Sequence, residues 1–426
     1  MSLNKTRLVS SLTLLFLVAS AIQADDWPQW RGPNRDGVWS ETGILESFPP
    51  DGLKVRWRST VGPGWSSPVV AKGRVYLTDS ALRQPKAKER VHCFEEATGK
   101  TLWTHSNEVT YPDWAFTDGR GRGPTATPLV HAGKLYTVGN KGDLFCFEAL
   151  TGEVIWKRNL EKEYQVQEFA FNASPLIESD LLILCIGSYP GSSPSSVIAL
   201  DKNTGKEVWK APTEGLTNSS PIVISAGRKR QLIVWTQGSV TSLNPATGKI
   251  YWQEKMKTAA QDAVTTPVFQ ENRLLLSGLM LQLDSEKPAA SVLWPDTKAV
   301  SRRTLSVTST ALLRGDHVFS ARASGVLVCV EARTGKQVWE MDKVTDLRSG
   351  ASIHLTPNGD GVFLYTDKGD LIRAHLTAKG CKEVSRTTLL KPIAKAKAWA
   401  APAYANRHVF ARNDEELLCA SLAAEP

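Results

Sequence analysis

The stretch "KLYTVGNKGDLFCFEALTGEVIW" (134–156) holds three short β-rich runs separated by two breaks. Alternating apolar residues of β-branched and aromatic type mark the strands, and Gly-Asn-Lys-Gly-Asp and Thr-Gly mark the turns. The second break recurs with a tryptophan at one fixed offset: "TGKTLW" (98–103), "TGEVIW" (151–156), "TGKEVW" (204–209), "TGKIYW" (247–252) and "TGKQVW" (334–339). Ahead of each copy lies a small-residue signature, mostly ending in proline. It reads "SSPVV" from 66, "TATPLV" from 125, "NASPLI" from 172, "NSSPIV" from 218 and "VTTPVF" from 264. Weaker copies follow in "VTSTALL" (307), "GASIHL" (350) and "WAAPAY" (399). Each unit therefore reads as four strands joined by three turns.

The tryptophans Trp57, Trp103, Trp156, Trp209, Trp252, Trp294 and Trp339 are spaced 42 to 53 residues apart. The unit ending at Trp294 keeps "SVLW" without Thr-Gly, and a degenerate unit ends in "TAKGCKEV", where Val384 is read as the replacement for Trp. Four strands in about 40–50 residues is the signature of a propeller blade. "LKVRWRST" (53–60) precedes the first small-residue signature, and the last signature, at 399, has only three strands after it. The expected fold is all-β, an eight-bladed β-propeller of four-stranded antiparallel blades. The N-terminal strand completes the last blade and closes the ring.

The motif itself reads as architecture. Gly99, Gly152, Gly205, Gly248 and Gly335 permit the positive φ of a tight turn. Trp103, Trp156, Trp209, Trp252 and Trp339 are large enough to cover the gap between neighbouring blades and can offer their indole N–H to a backbone acceptor there.

The chain has 426 residues, 42% hydrophobic and 8% aromatic. Residues 1–24 read as a secretory signal, with Lys5 and Arg7, the run "LVSSLTLLFLVAS" and the small-residue region "ASAIQA", cleaved after Ala24 or Ala21. No cysteine precedes Cys93, so no lipid anchor is expected at the end of the signal, and no later run is long enough for a spanning helix. The expected organisation is a signal (1–24), an extension packing on the ring (25–51) and a single propeller (52–426), in a periplasmic or secreted monomer. The formal charge of +8 falls to +6 once Lys5 and Arg7 are removed, and it is spread along the chain rather than blocked, which gives no case for nucleic acid. Six cysteines are present, and Cys93, Cys146 and Cys329 each lie five residues before the repeated Thr. Equivalent positions on separate units do not approach bridging distance, so buried free thiols are expected. No C-x-x-C pair and no His pair at ligand spacing argue against a metal centre.

The repeat resembles that of the quinoprotein, or PQQ-repeat, propellers over essentially all of 26–426, and the five Thr-Gly-x-x-x-Trp copies make the resemblance specific. The prefix "DDWPQWRGPNRDGVWSETGI" (25–44) is similar to the start of exported propellers of planctomycete-type bacteria. The family contains enzymes that bind pyrroloquinoline quinone beside calcium, often under a vicinal disulfide, and a non-catalytic periplasmic scaffold of outer-membrane assembly. This chain has no adjacent Cys pair and no C-x-x-C-H, and none of the enzymes' quinone or calcium ligands maps onto it. An exported non-catalytic binding or scaffold propeller is therefore expected. The alternatives are a PQQ- or calcium-dependent oxidoreductase and a carbohydrate-binding propeller.

No catalytic residue and no metal site are assigned. Ligands are expected at the channel mouth opposite the Thr-Gly turns. The connecting loops bring Trp114, Arg120, Arg122, Gln167, Asn172, Asp262, Arg302, Arg303 and Arg348 there, and Arg322 joins them from a strand turn. Guanidinium groups with a Trp suit a protein partner or a small anionic or sugar-like ligand.

Overall fold

The computed structural model describes residues 25–116, 123–166, 169–187, 195–256, 264–295, 305–306, 308–346, 350–393 and 398–424. The signal read at 1–24 lies outside them. Eight four-stranded antiparallel sheets form the blades. Blades 1 to 7 span 69–110, 129–159, 176–213, 222–255, 268–294, 312–341 and 353–388. Blade 8 takes three strands from 403–421 and its outermost strand from Val55–Thr60. The ring is thus closed by the N-terminal strand, as the offset of the repeats requires. In an up-and-down blade the first and third turns share one rim. The Thr-Gly turns therefore lie on the rim away from the blade-to-blade connections.

In seven outer strands a Trp pairs with a buried residue of the third strand, as in Cys93↔Trp103, Cys146↔Trp156 and Cys329↔Trp339. A β-bulge follows immediately in each of these pairs and twists the strand end. The indole then reaches the next blade. Trp57, Trp103, Trp156, Trp209 and Trp294 donate to the carbonyls of Glu96, Ala149, Lys202, Pro245 and Ala332, at 2.7–3.3 Å. Each acceptor sits in the turn that carries the next Thr-Gly. The glycine has two reasons to be there. At Gly152 φ is +76°, and a Cβ would stand 2.6 Å from the Trp103 ring. A side chain is excluded by the neighbour as much as by the backbone. Trp252 faces blade 5, which lacks the glycine, and its N–H goes instead to Gln231 Oε1 of its own blade, at 2.7 Å. All six cysteines are free, five of them buried.

The small-residue signature forms a second belt, nearer the axis. Ser67 N–H donates to Thr127 Oγ1, Thr127 N–H to Ser174 Oγ, Ser174 N–H to Ser220 Oγ and Thr266 N–H to Thr310 Oγ1, at 2.9–3.1 Å. Each bond runs from one blade to the next. The hydroxyl before the proline satisfies a backbone donor that no strand partner reaches. Blade 8 has Ala400 and Ala401 here. At its junction with blade 1 the fully buried Arg412 takes over, donating to the carbonyls of Thr78 and Gly62.

One correction concerns blade 7. Its register pairs Arg373 with Ser385 before the bulge, which places Ser385, not Val384, at the tryptophan position. Val384 occupies the preceding, exposed site. The strands of this hairpin stay paired down to Thr377↔Gly380, so counting residues from Gly380 lands one short. The junction without an indole is covered by the N-terminal segment. Phe48 N–H donates to Ser385 Oγ at 2.8 Å, and the buried Phe48 ring stacks on Phe363.

That segment does more than rest on a rim. Trp27 exchanges two backbone bonds with Val70 of blade 1, and Pro28 accepts from Val130 of blade 2. Arg35 donates to Ser174 and Pro175 before blade 3, and Trp30 Nε1 donates to Thr266 before blade 5. Trp39 and Glu41 bond Pro357 and Asn358 of blade 7, and Glu41 accepts from Arg407 N of blade 8. Residues bonded to the innermost strands of six blades must cross the axis. The stretch 27–44 is therefore a plug, inserted from the Thr-Gly rim and returned to it by the pairing of 43–45 with 422–424. Trp27, Trp39, Phe363 and Tyr404 form its aromatic floor, with centroids 5.3–5.9 Å apart.

If the indole and the bare glycine form one contact, Trp103→Ala lowers stability by about 3–5 kcal/mol and Gly152→Ala by about 2–4 kcal/mol. The double variant falls short of the sum. Urea midpoints of the four proteins measure this, and full additivity would contradict it.

Candidate functional site

Of the ten residues expected at the mouth, three are described: Trp114, Asn172 and Arg322. Trp114 stands in the short turn Asp113–Phe116, 39% exposed, its ring 4.7 Å from Phe169. With Tyr111 it caps a small apolar cluster under the long hairpin of blade 1. Asn172 is engaged by the ring: it accepts from Thr125 Oγ1 at 2.6 Å and donates to Asn218 Oδ1 at 2.9 Å, making an amide link across blades 2, 3 and 4. Arg322 turns outward to Glu340 and Gln337 of its own blade's outermost strand. Arg120, Arg122, Gln167, Asp262, Arg302, Arg303 and Arg348 lie outside the described residues.

Two buried carboxyl groups mark the same rim, and sequence reasoning singled out neither. Asp79, at the edge of a cleft of about 430 Å³ lined by Gly62, Pro63, Arg90, Asp414 and Glu415, is fully buried. Arg90 grips it with two bonds of 2.7 Å, His92 Nε2 lies at 3.0 Å and Gly62 N–H at 2.6 Å. Burial alone would raise its pKa, but the bonds and charges of His92 and Arg90 overcome that and hold it well below the carboxylate range. Glu89, next to Arg90 in the strand paired with that of Asp79, faces blade 2. It accepts from Tyr111 Oη at 2.7 Å and Asn140 N–H at 2.9 Å. Burial pushes it up to about 7, against these bonds and with help from the charge of Asp143. The alternation of side chains along one strand explains the contrast, since Glu89 and Arg90 point to opposite faces.

The axis carries the third feature. Arg31 and Arg35, not singled out from the sequence, sit on the plug. Burial lowers Arg31 to about 10, partly offset by Asp36, and lowers Arg35 to about 9, with a further push from Arg31. His354 of blade 7 is driven down to about 4 by burial, against its bond to Trp399 O and aided by the charge of Arg31.

A quinone beside calcium would need several oxygen ligands converging on one point. Among the described residues no three His, Cys, Asp or Glu side chains do so, and no two cysteines are adjacent to cover a planar cofactor. The described donor set does not fit that group.

The family model described as outer membrane protein assembly factor BamB matches residues 49–192, 87–283 and 285–423. Among curated relatives, the BamB protein of Burkholderia pseudomallei is 24% identical over 290 residues, covering 65% of this chain and 69% of the relative. The quinoprotein alcohol dehydrogenase PedH of Pseudomonas putida is 26% identical over 153 residues, but these cover 33% of this chain and only 25% of the enzyme. Two solved structures share the fold. BamB of Moraxella catarrhalis has a TM-score of 0.57 at 17% identity, covering 86% of this chain and 98% of that one. A europium-containing methanol dehydrogenase has a TM-score of 0.68 at 12% identity, covering 93% and 98%. With the family model spanning nearly the whole ring, the chain belongs to the PQQ-repeat propeller family described as outer membrane protein assembly factor BamB.

Proposed function

We propose that this chain is an exported binding or scaffold propeller that performs no redox chemistry. The observation that carries the reading is the plug, because the axial space between the innermost strands is occupied by the chain's own residues 27–44. Two further points support it. Among the curated sequence relatives, those that match over most of their length are named as assembly factors, whereas the dehydrogenases match over about a quarter. Glu89, whose pKa near 7 would suit a general base, is closed in by Tyr111, Asn140 and Gly139, and acts as an acceptor between blades 1 and 2. Exposed Trp114 beside Phe169 is the described residue best placed to meet a partner, through an aromatic face at the mouth.

Titration of the purified protein with pyrroloquinoline quinone and calcium, followed by calorimetry and dye reduction over alcohols and sugars, tests the assignment. The expected result is no saturable heat and no turnover. Saturable binding with turnover would make the chain an enzyme of the dehydrogenase branch.

The structural role of Glu89 has its own signature in pH. Its folded-state pKa of about 7 lies above the ordinary value of 4.5. Its contribution to stability is therefore fully present below pH 4.5 and lost as pH rises through 7, a loss of up to about 3 kcal/mol. Glu89→Gln removes that loss. Measured against the parent chain, the variant gains stability steadily from pH 5 to pH 8. A difference independent of pH would show that Glu89 does not hold a proton in the folded protein.

A further inference from the structure

Arg31 and Arg35 raise a question that the scaffold reading does not answer. Arg35 is 4% exposed and donates only to neutral oxygens: Pro175 O at 2.7 Å, Gln29 Oε1 at 3.2 Å and Ser174 O at 3.3 Å. Arg31 lies flat on Gly37, where a Cβ would stand 2.6 Å from Nη2, and its one acceptor among the described residues is Asp36 O within the same loop. The Nε atoms of both are buried with no acceptor, and no described carboxylate lies within ion-pair distance of either. The nearest influence of that sign on Arg31, Asp36, is at the surface and accepts from Val38 N–H.

The two cations straddle the axis. Arg35 is held by the entry to blade 3, while Arg31 is close enough to His354 of blade 7 to depress its protonation. Blades 3 and 7 face each other across an eight-bladed ring. The arginines also repel one another, yet both stay protonated at neutral pH because burial lowers them only to about 10 and about 9. Buried charge is stable when a counter-charge and hydrogen bonds meet it. Here two cations meet on the plug, and the described residues supply no carboxylate to either.

We infer that the tip of the axial plug binds a small oxyanion of the phosphate class, which meets the Nη1 edge of Arg31 while Arg35 adds its field. A guanidinium edge matches a tetrahedral oxyanion in shape as well as charge. The anion pins the plug tip between opposite blades and so links ligand binding to the rigidity of the ring. This site is independent of whether the propeller acts as a scaffold, and its failure would leave that reading untouched.

The experiment uses the mature chain purified without phosphate or sulfate. Inorganic phosphate is titrated by calorimetry and thermal melting at pH 7.5, with sodium chloride at matched ionic strength as the screening control. The expected result is saturable heat and a rise in melting temperature that chloride does not reproduce. Arg31→Gln, which loses one backbone bond within its own loop, is expected to weaken phosphate at least tenfold with an unchanged circular-dichroism spectrum. Arg31→Lys keeps the charge without the fork and is expected to fall between the two. Sulfate, a tetrahedral dianion with no proton to donate, is expected to bind more weakly but at the same site. No saturable heat from phosphate in the parent chain would overturn the site. Equal affinity in Arg31→Gln would also overturn it. If Arg31→Gln does not fold, the parent titration and Arg31→Lys decide.

Discussion

The structure depends on how adjacent blades are held face to face. A blade is a small twisted sheet with two apolar faces, and neither is buried until a neighbour covers it. Eight such junctions must be sealed at the outer radius as well as near the axis, because the wedge between blades widens outward. Six outer seals use an indole from one blade bonded to the third turn of the next, and at the seventh, facing blade 5, Trp252 bonds Gln231 of its own blade. Five of these indoles stand over a glycine that a Cβ would drive into the ring. The inner seal is a relay of hydroxyls running blade to blade.

Where the ring closes, neither device is available. Blade 8 has no third turn, because its outer strand comes from the other end of the sequence. An indole from blade 7 would find no turn to dock on, and Ser385 stands there instead. Phe48 and Trp39 fill the space, with Trp27 and Tyr404 beneath them. The same segment continues through the axis and bonds to six blades. Closing the ring and plugging the channel are therefore consequences of one stretch of chain. This accounts in physical terms for the density of Trp, Arg and Gly in "WPQWRGPNRDGVW" (27–39).

Much of this was legible in the sequence, and the misses have physical causes. Period and turn chemistry are local, so blade number, closure and the Thr-Gly-Trp contact could be read by counting. The offset between first signature and first tryptophan sufficed to place Val55–Thr60 in the last blade. The belt was visible only as a run of small residues, since each hydroxyl bonds to a unit more than 40 residues away. Asn172 looked like a loop residue facing a ligand for the same reason, because both of its amide partners lie in adjacent blades. The bulge and the longer paired hairpin of blade 7 moved Ser385 into a position that counting gave to Val384. Glu89 carried no signal at all, as a carboxylate beside Arg90 in a strand reads as a surface ion pair until its face is known.

The central claim is that residues 25–48 are part of the interior of the ring rather than a tail resting upon it. Native-state hydrogen exchange tests this most directly, because it reads each region's opening free energy. The amides of Trp27, Gly37, Trp39, Leu45 and Phe48 all have protein acceptors. The account predicts that peptides covering 27–48 exchange as slowly as the innermost strands of blades 1 and 8, and open together with them. Exchange of that segment at loop rates, with the blades still protected, would contradict it.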